Sequence, residues 1–500
     1  MKLFFHIIFG ILFLYLLYLV SFSALNGEVI FSNDVARNFL LLQELDEKKI
    51  VLIGPRSSTQ GLFYSSFLTY FNYPAYLIGQ GNPVIVAWFW VFVSLIVFIT
   101  SFFMVRKLFG TIAASFYVLI IAAKLVPKSS EIFEPMAMYW VMPVFLFTII
   151  EYVRTKKLMY LIGHIISLSI FIHLSIGIGL QFLILSFTII FYIVFESRKW
   201  KHLLSFLIIP VSLINIILFD IKYGFGMTKA LLGTGSATRF FVSIPDWIGG
   251  RVHHATSLQL LDSQNFLWIP IFLTVMFFTY LSIKKDKKSR HIYILFLLYY
   301  FGYMTLSYFN KGILLVHYIY LLIPFTAMWL VSFLNGKYKT AFIPIVLVVL
   351  LLNIQFAQNF TKNLKASYIG KVQDSWVGLS NTARDIAKTY EGKEFGYYVF
   401  APDAYAYQPR YAMLYHFKKE GAKAFEYKKM ETTLVIAQAP PSNDKYMDYK
   451  WWVKVPVRIA NEPKSIKDFP NGYKVLEYKL TKDEQKIPHD ITIELGIHFR

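Results

Sequence analysis

The acids of this chain that could do chemistry lie just beyond apolar runs. Asp34 follows the apolar run 3–25 by about nine residues. A carboxylate at that place can serve as general base on an acceptor hydroxyl. The same residue there can instead be a plain helix cap or first-turn acid, worth about 0.5–2 kcal/mol. Glu131 and Glu134 share the short loop 127–135. Two carboxylates so close can divide acid and base roles or bind a divalent cation, Mg or Mn; the plainer reading is a solvated loop. Glu44, Asp46 and Glu47 stand beside Lys48 and Lys49 and read as a solvated helix face.

Basic residues near the same runs point to an anion. Arg56, Lys124, Lys128, Arg239, Arg251 and Lys311 all fall in loops or at the ends of apolar segments. Arginine's paired donors match a lipid phosphate, and headgroup contact with snorkelling is the alternative. His173 and His317 sit at the edges of apolar segments, where an ionisable group is a functional candidate or a satisfied packing group. His253 and His254 are adjacent and lack the spacing of a zinc site. There is no Walker A sequence, no GxGxxG fingerprint and no GxSxG elbow, so ATP hydrolysis is not expected. The cysteine count is 0, which excludes disulfides, thiolate nucleophiles and Cys-bound metal.

The elements that must position these residues are membrane helices. Hydrophobic residues are 56% and charged residues 16% of 500, with a mean hydropathy of +0.50, outside the range of a soluble domain. A bilayer core takes about 20 apolar residues per helix. Eleven segments fit: 3–25, 83–105, 110–126, 136–153, 158–175, 177–195, 202–220, 266–283, 291–309, 313–334 and 340–357. The first is read as a retained helix because its apolar run exceeds a signal-peptide core. Loops 106–107, 154–157, 198–201, 284–290 and 337–339 are short and basic, which places them inside with the N-terminus. Loops 26–82, 127–135, 221–265 and 310–312 then lie outside, and eleven crossings put the C-terminus outside. Much of the +20 net charge is thus a topology signal, and no nucleic-acid partner is expected.

Residues 358–500 hold 23 of the 50 Lys and Arg and 17 of the 30 Asp and Glu. The chain therefore reads as a membrane region, 1–357, followed by a polar exoplasmic α/β domain, 358–500. In the first outer loop Asn33 and Asp34 read as caps of a helix running to about Lys48, with Val35, Phe39, Leu42 and Leu45 near helical spacing. An apolar run at 50–53 is broken by Gly54-Pro55. Phe63 to Tyr76 is aromatic enough for the membrane interface. Loop 221–265 starts Gly-rich. In the tail, 376–391 and 408–420 read as helices, and 395–401, 432–438, 451–458 and 472–479 as strands.

This architecture resembles the GT-C superfamily of membrane glycosyltransferases, in the bacterial branch near protein mannosyltransferases and the lipid A aminoarabinose transferase. Ser32-Asn33-Asp34-Val35-Ala36-Arg37-Asn38 resembles the first-loop motif, and Ile53-Gly54-Pro55 with Gly61 the segment after it. Ile172-His173-Leu174-Ser175 resembles a His-containing hairpin, and Val316-His317-Tyr318 with Leu321-Leu322-Ile323-Pro324-Phe325 a late-helix pattern. The tail stretch Tyr405-Ala406-Tyr407-Gln408-Pro409-Arg410-Tyr411-Ala412 is similar to tails of other members. Many members carry two adjacent acids in the first loop, whereas Asp34 is flanked by Asn33 and Val35.

The resemblance implies inverting transfer, outside the cytoplasmic membrane, of a sugar from a polyprenyl-phosphate donor to a hydroxyl of a glycan, lipid or protein. It implies Asp34 as base, Glu131 and Glu134 as candidate second acids, and Arg56, Lys128, Arg239, Arg251 and His317 as candidates for the donor phosphate. Three other classes compete on sequence: a transporter or flippase, a polysaccharide polymerase or ligase, and a structural or sensor membrane protein. A lipid or glycan transporter would show internal repeats and mid-membrane polar sites, and neither is evident. A polysaccharide polymerase or ligase would carry its large loop between late helices.

Overall fold

Long uninterrupted apolar runs fold as helices because lipid leaves the backbone no other partner than itself. The structure is a computed structural model. It describes the 500-residue chain except residues 1, 58–60, 233–242, 262–265, 288, 310–313, 403–404, 440–447 and 498–500. Seven helices among the described residues are long and apolar enough to span a membrane: His6–Leu25, Pro83–Phe109, Thr111–Lys128, Glu134–Thr155, Ile176–Ser197, Trp268–Lys285 and Lys339–Tyr368. An eighth is counted if Trp200–Ser212 and Ile214–Lys222, bent by 55° at their junction, form one span.

Each of the eleven expected segments is mainly helical where described, but not all are full spans. Leu158–Leu174 has 17 residues, about 26 Å at 1.5 Å per residue. It ends where Ser175 adopts extended backbone, φ −161° and ψ 110°. Val316–Ser332 is likewise a shorter apolar helix. Arg290–Ser307 opens on Arg290 and His291 and does not reach the hydropathy of a span. Apolar content is legible residue by residue; a break at one serine or one bend is not.

The chain divides into two compact units. One comprises residues 1–21, 52–68 and 90–360; the other 22–51, 69–89 and 361–500. Composition alone places a single boundary, at 357/358. In the structure, most of the first outer loop packs with the tail.

The first unit is a helical bundle. Glu134–Thr155 packs along Leu158–Leu174, and Leu322–Ser332 lies against Thr111–Leu125 and Glu134–Thr155. Leu158–Leu174 and Ile176–Ser197 approach so closely at Gly179 that a Cβ there would lie 2.5 Å from the Ile172 backbone. Polar groups in the bundle are matched across helices: the Trp140 indole donates to Ser94 Oγ at 3.1 Å and the Trp329 indole to Thr279 Oγ1 at 3.0 Å. His164, Ser186 and Tyr299, all buried, form a chain with 3.0 Å links. Such pairs keep buried polar groups satisfied in an apolar medium.

The second unit is α/β. Its sheet runs, edge to edge, Lys423–Glu426, Glu394–Phe400, Thr432–Gln438, Tyr473–Lys479 and Ser465–Asp468. The strands are β3 (Glu394–Phe400), β4 (Lys423–Glu426), β5 (Thr432–Gln438), β6 (Ser465–Asp468) and β7 (Tyr473–Lys479). The labels β1 (Ile53–Arg56) and β2 (Phe63–Ser65) belong to a hairpin of the first unit. β3 pairs parallel with β4 and β5, and β7 antiparallel with β5 and β6. The helices Trp376–Thr389 and Tyr407–Lys419 fall where expected. The expected strand at 451–458 is instead helical, Tyr449–Trp452 continued by the wide turn Val453–Val457. Asp448 accepts from Lys450 N and starts the turn. Val453 and Val457, four apart, then bury together in the core with Tyr398, Phe400, Val435 and Leu476. The alternation of Val453, Val455 and Val457 suggested a strand; the i, i+4 burial decides for a helical turn.

Candidate active site

In the second unit, Asp34 lies in the first turn of helix Asn33–Lys48. The cap is Ser32, whose side chain accepts from Val35 N, so neither Asn33 nor Asp34 is the cap itself. The Arg37 Nη2 group donates to Asp34 Oδ1 at 2.7 Å. The Asp34 side chain is 52% exposed and the Arg37 side chain 16%. The carboxylate is thus held on one side and open on the other, as a base that must meet an acceptor requires. Val35, Phe39, Leu42 and Leu45 are buried, so the helix presents one apolar side to its own unit. Phe31, just before the cap, packs on Phe39, Trp376 and Tyr411 at ring distances of 5.6, 4.8 and 5.7 Å.

In the first unit, the loop between Thr111–Leu125 and Glu134–Thr155 gathers four of the candidates at one end of the bundle. Lys128 Nζ donates to Glu131 Oε1 at 2.5 Å and lies 5.4 Å from the centre of the Tyr320 ring. Burial pushes the Glu131 carboxyl above its ordinary range, and Lys128 opposes the shift. Glu134 is buried in the first turn of its helix, where a carboxylate suits the helix dipole. His317 is seated by an edge-on contact with Phe133, 5.6 Å between ring centres.

Arg56 ends β1, opposite Phe63. The hairpin is tight at Gly54, where a Cβ would come within 2.4 Å of the Ser65 carbonyl oxygen. Its base is fixed by a polar node that sequence reading had only in part. His173 Nδ1 lies 2.7 Å from Ser65 Oγ, and its ring stacks on Phe67 at 5.5 Å. Asn215 Nδ2 donates to the Leu52 carbonyl at 2.8 Å and to Ser66 Oγ at 3.2 Å. His173 therefore anchors the hairpin that carries Arg56.

Among its described residues, loop 221–265 contains two helices, Gly226–Leu231 and Ile244–Ser257, that its Gly-rich start concealed. Arg251 is buried, with Nε and Nη2 donating to the Ser307 carbonyl at 3.2 and 3.0 Å and Nη1 to the Trp247 carbonyl at 3.2 Å. Its guanidinium also faces the Trp247 and Tyr308 rings. Those bonds make it a tie between Ile244–Ser257 and the end of Arg290–Ser307. Arg239 lies outside the described residues. Among the described residues no three His, Asp or Glu side chains gather as a metal site, and Glu131 is taken up by Lys128.

Arg37 was missed as a partner of Asp34, although its i+3 spacing on a helix was readable. Glu28 was missed entirely. It is 0% exposed and accepts from Ser375 Oγ at 2.5 Å, Trp376 N at 2.6 Å, Val29 N at 3.0 Å and Val377 N at 3.4 Å. No local signal announces a partner 347 residues away.

The fold is the GT-C fold of multi-pass membrane proteins. Two crystal structures of ArnT from Cupriavidus metallidurans carry that statement, one bound to undecaprenyl phosphate and one in the apo state. Each is similar over 94% of this chain and 97% of its own, with a TM-score of 0.57 and 13% sequence identity. No protein-family model matches the sequence, and a search of curated proteins finds no match.

Proposed function

We propose that this protein is a membrane glycosyltransferase. It moves one hexosyl or pentosyl unit from a polyprenyl-phosphate donor to an acceptor hydroxyl at the outer face of the cytoplasmic membrane. The observation that carries the reading is a half-exposed carboxylate, Asp34, on the first-loop helix of a chain whose fold matches ArnT almost end to end. That neighbour binds undecaprenyl phosphate.

In this reading the acceptor oxygen attacks the anomeric carbon as Asp34 takes its proton. The bond from that carbon to the phosphate oxygen breaks on the opposite side, so configuration inverts. The lipid phosphate departs as an anion and needs no proton from an acid. Arg37 keeps the Asp34 carboxylate oriented before the acceptor arrives. The leaving phosphate calls for a cation, and Arg251, spent on backbone carbonyls, does not supply it. Glu131 and Glu134 organise the second loop.

The test is a deletion strain whose envelope glycans and glycolipids are profiled by mass spectrometry, alongside native mass spectrometry of the purified protein with undecaprenyl phosphate. The reading expects loss of a single sugar mass and retention of the lipid. An unchanged profile with no lipid retained overturns it.

A further inference from the structure

Six residues before Asp34, the chain is pinned in a way the transfer chemistry does not itself require. Four donors converge on the buried Glu28 carboxylate, three of them from the start of helix Trp376–Thr389. Ser375 Oγ, which donates to Glu28, itself accepts from Gly370 N at 2.7 Å and Gly378 N at 3.2 Å. The stitch continues toward the base. Trp376 N donates to the Val29 carbonyl, Ile30 bridges to Ser375, and Phe31 N donates to the Asp374 carbonyl at 2.7 Å. Ser32 then caps the Asp34 helix. Each residue from Glu28 to Ser32 thus takes part in this run of contacts. A carboxylate at a helix start, filled by N–H and O–H donors, is a specific and directional tie.

We infer that Glu28 is a positioning residue: by clamping the first outer loop onto the start of helix Trp376–Thr389, it fixes where the helix carrying Asp34 begins. This rests on Asp34 acting as the base. It gives the tail domain a defined task, which is to hold the base in place. The tie is intramolecular and distinct from the contacts of Asp34 itself, so it can be loosened without touching the acid that takes the proton.

The natural absence of cysteine makes the test direct. Lys48→Cys and Lys388→Cys, both exposed and both in this unit, are spin-labelled in the purified full chain. The distance distribution is read with Glu28 intact, with Glu28→Gln and with Glu28→Ala. Glu28→Gln keeps the size and one acceptor oxygen but turns an NH2 donor toward Ser375 Oγ, where two donors already point. The clamp predicts a narrow distribution for the intact protein and a broadened one for both variants. It also predicts that sugar transfer per folded molecule falls about tenfold or more through kcat, because about 1 Å of misplacement is costly in a reaction of this kind. Donor KM stays near its original value. Narrow distributions with full transfer in Glu28→Gln and Glu28→Ala overturn the inference, and so does a broadened distribution with full transfer. If Asp34→Asn itself transfers normally, the base assignment fails instead; narrow labels in the Glu28 variants then overturn the clamp as well, and broad ones leave it standing as an architectural tie.

Discussion

At the scale of single residues, the account turns on pairs that hold charge where it is useful. Lys128 and Glu131 are 25% and 17% exposed at the side chain, so removing one strands the other. Lys128→Met is expected to destabilise the protein by about 1–3 kcal/mol. The double variant Lys128→Met/Glu131→Gln should recover much of that loss in a thermal melt in detergent. Equal loss in single and double variants would mean that the pair does not hold the loop. Asp34 and Arg37 differ, since the acid is half in solvent and the pair is worth only about 0.2–0.5 kcal/mol. The candidates were legible because acids and bases beside long apolar runs are conspicuous. Their partners were legible only when close in sequence: Lys128 with Glu131 at i+3 and Arg37 with Asp34 at i−3 follow from helical or turn spacing. Arg251 looked like an anion receptor, and only the fold reveals that its donors meet the carbonyls of Ser307 and Trp247.

At the scale of elements, Glu28 gives stability a pH dependence. Burial pushes its carboxyl up to about 7, and the bonds from Ser375, Trp376, Val29 and Val377 limit the rise. The folded value lies above the unfolded one of about 4.3. Its contribution is therefore full below the unfolded value and lost as pH rises through about 7. Thermal melts from pH 4.5 to pH 8 should show this decline in the parent, and Glu28→Gln should lack that component; parallel profiles would contradict it. Helices of the tail could be placed from periodicity, as for Trp376–Thr389 and Tyr407–Lys419, and strands such as Thr432–Gln438 from their β-branched runs. The segment 451–458 failed because Val-Lys-Val-Pro-Val satisfies a period of two as readily as an i, i+4 pair, and burial chose the latter. β4 and β6, four residues each, were too short and too charged to announce themselves.

At the scale of the whole molecule, the proposed topology rests on charge and hydropathy. From the positive-inside pattern we propose that loop 154–157 lies inside and the tail outside. A single cysteine at Lys423→Cys should react with a membrane-impermeant maleimide in intact cells. One at Lys157→Cys should react only after permeabilisation, and the reverse order would invert the topology. The long apolar helices were readable from composition. The division into two compact units was not, because residues 22–51 and 69–89 join residues 361–500 through contacts such as Glu28 with Ser375 that no local pattern encodes.

The central claim is that Asp34 is the base of a sugar transfer, and one substitution reaches it most directly. Ser32, not Asp34, caps the helix, so Asp34→Asn gives up only a helix-end charge of about 0.3–1 kcal/mol and an exposed ion pair. The variant should insert and fold like the parent. Both are expressed in the deletion strain at matched membrane levels, and envelope glycans are compared by mass spectrometry. The account predicts that the parent restores the missing sugar and Asp34→Asn does not. Full restoration by Asp34→Asn would contradict it and leave Asp34 a first-turn acid and nothing more.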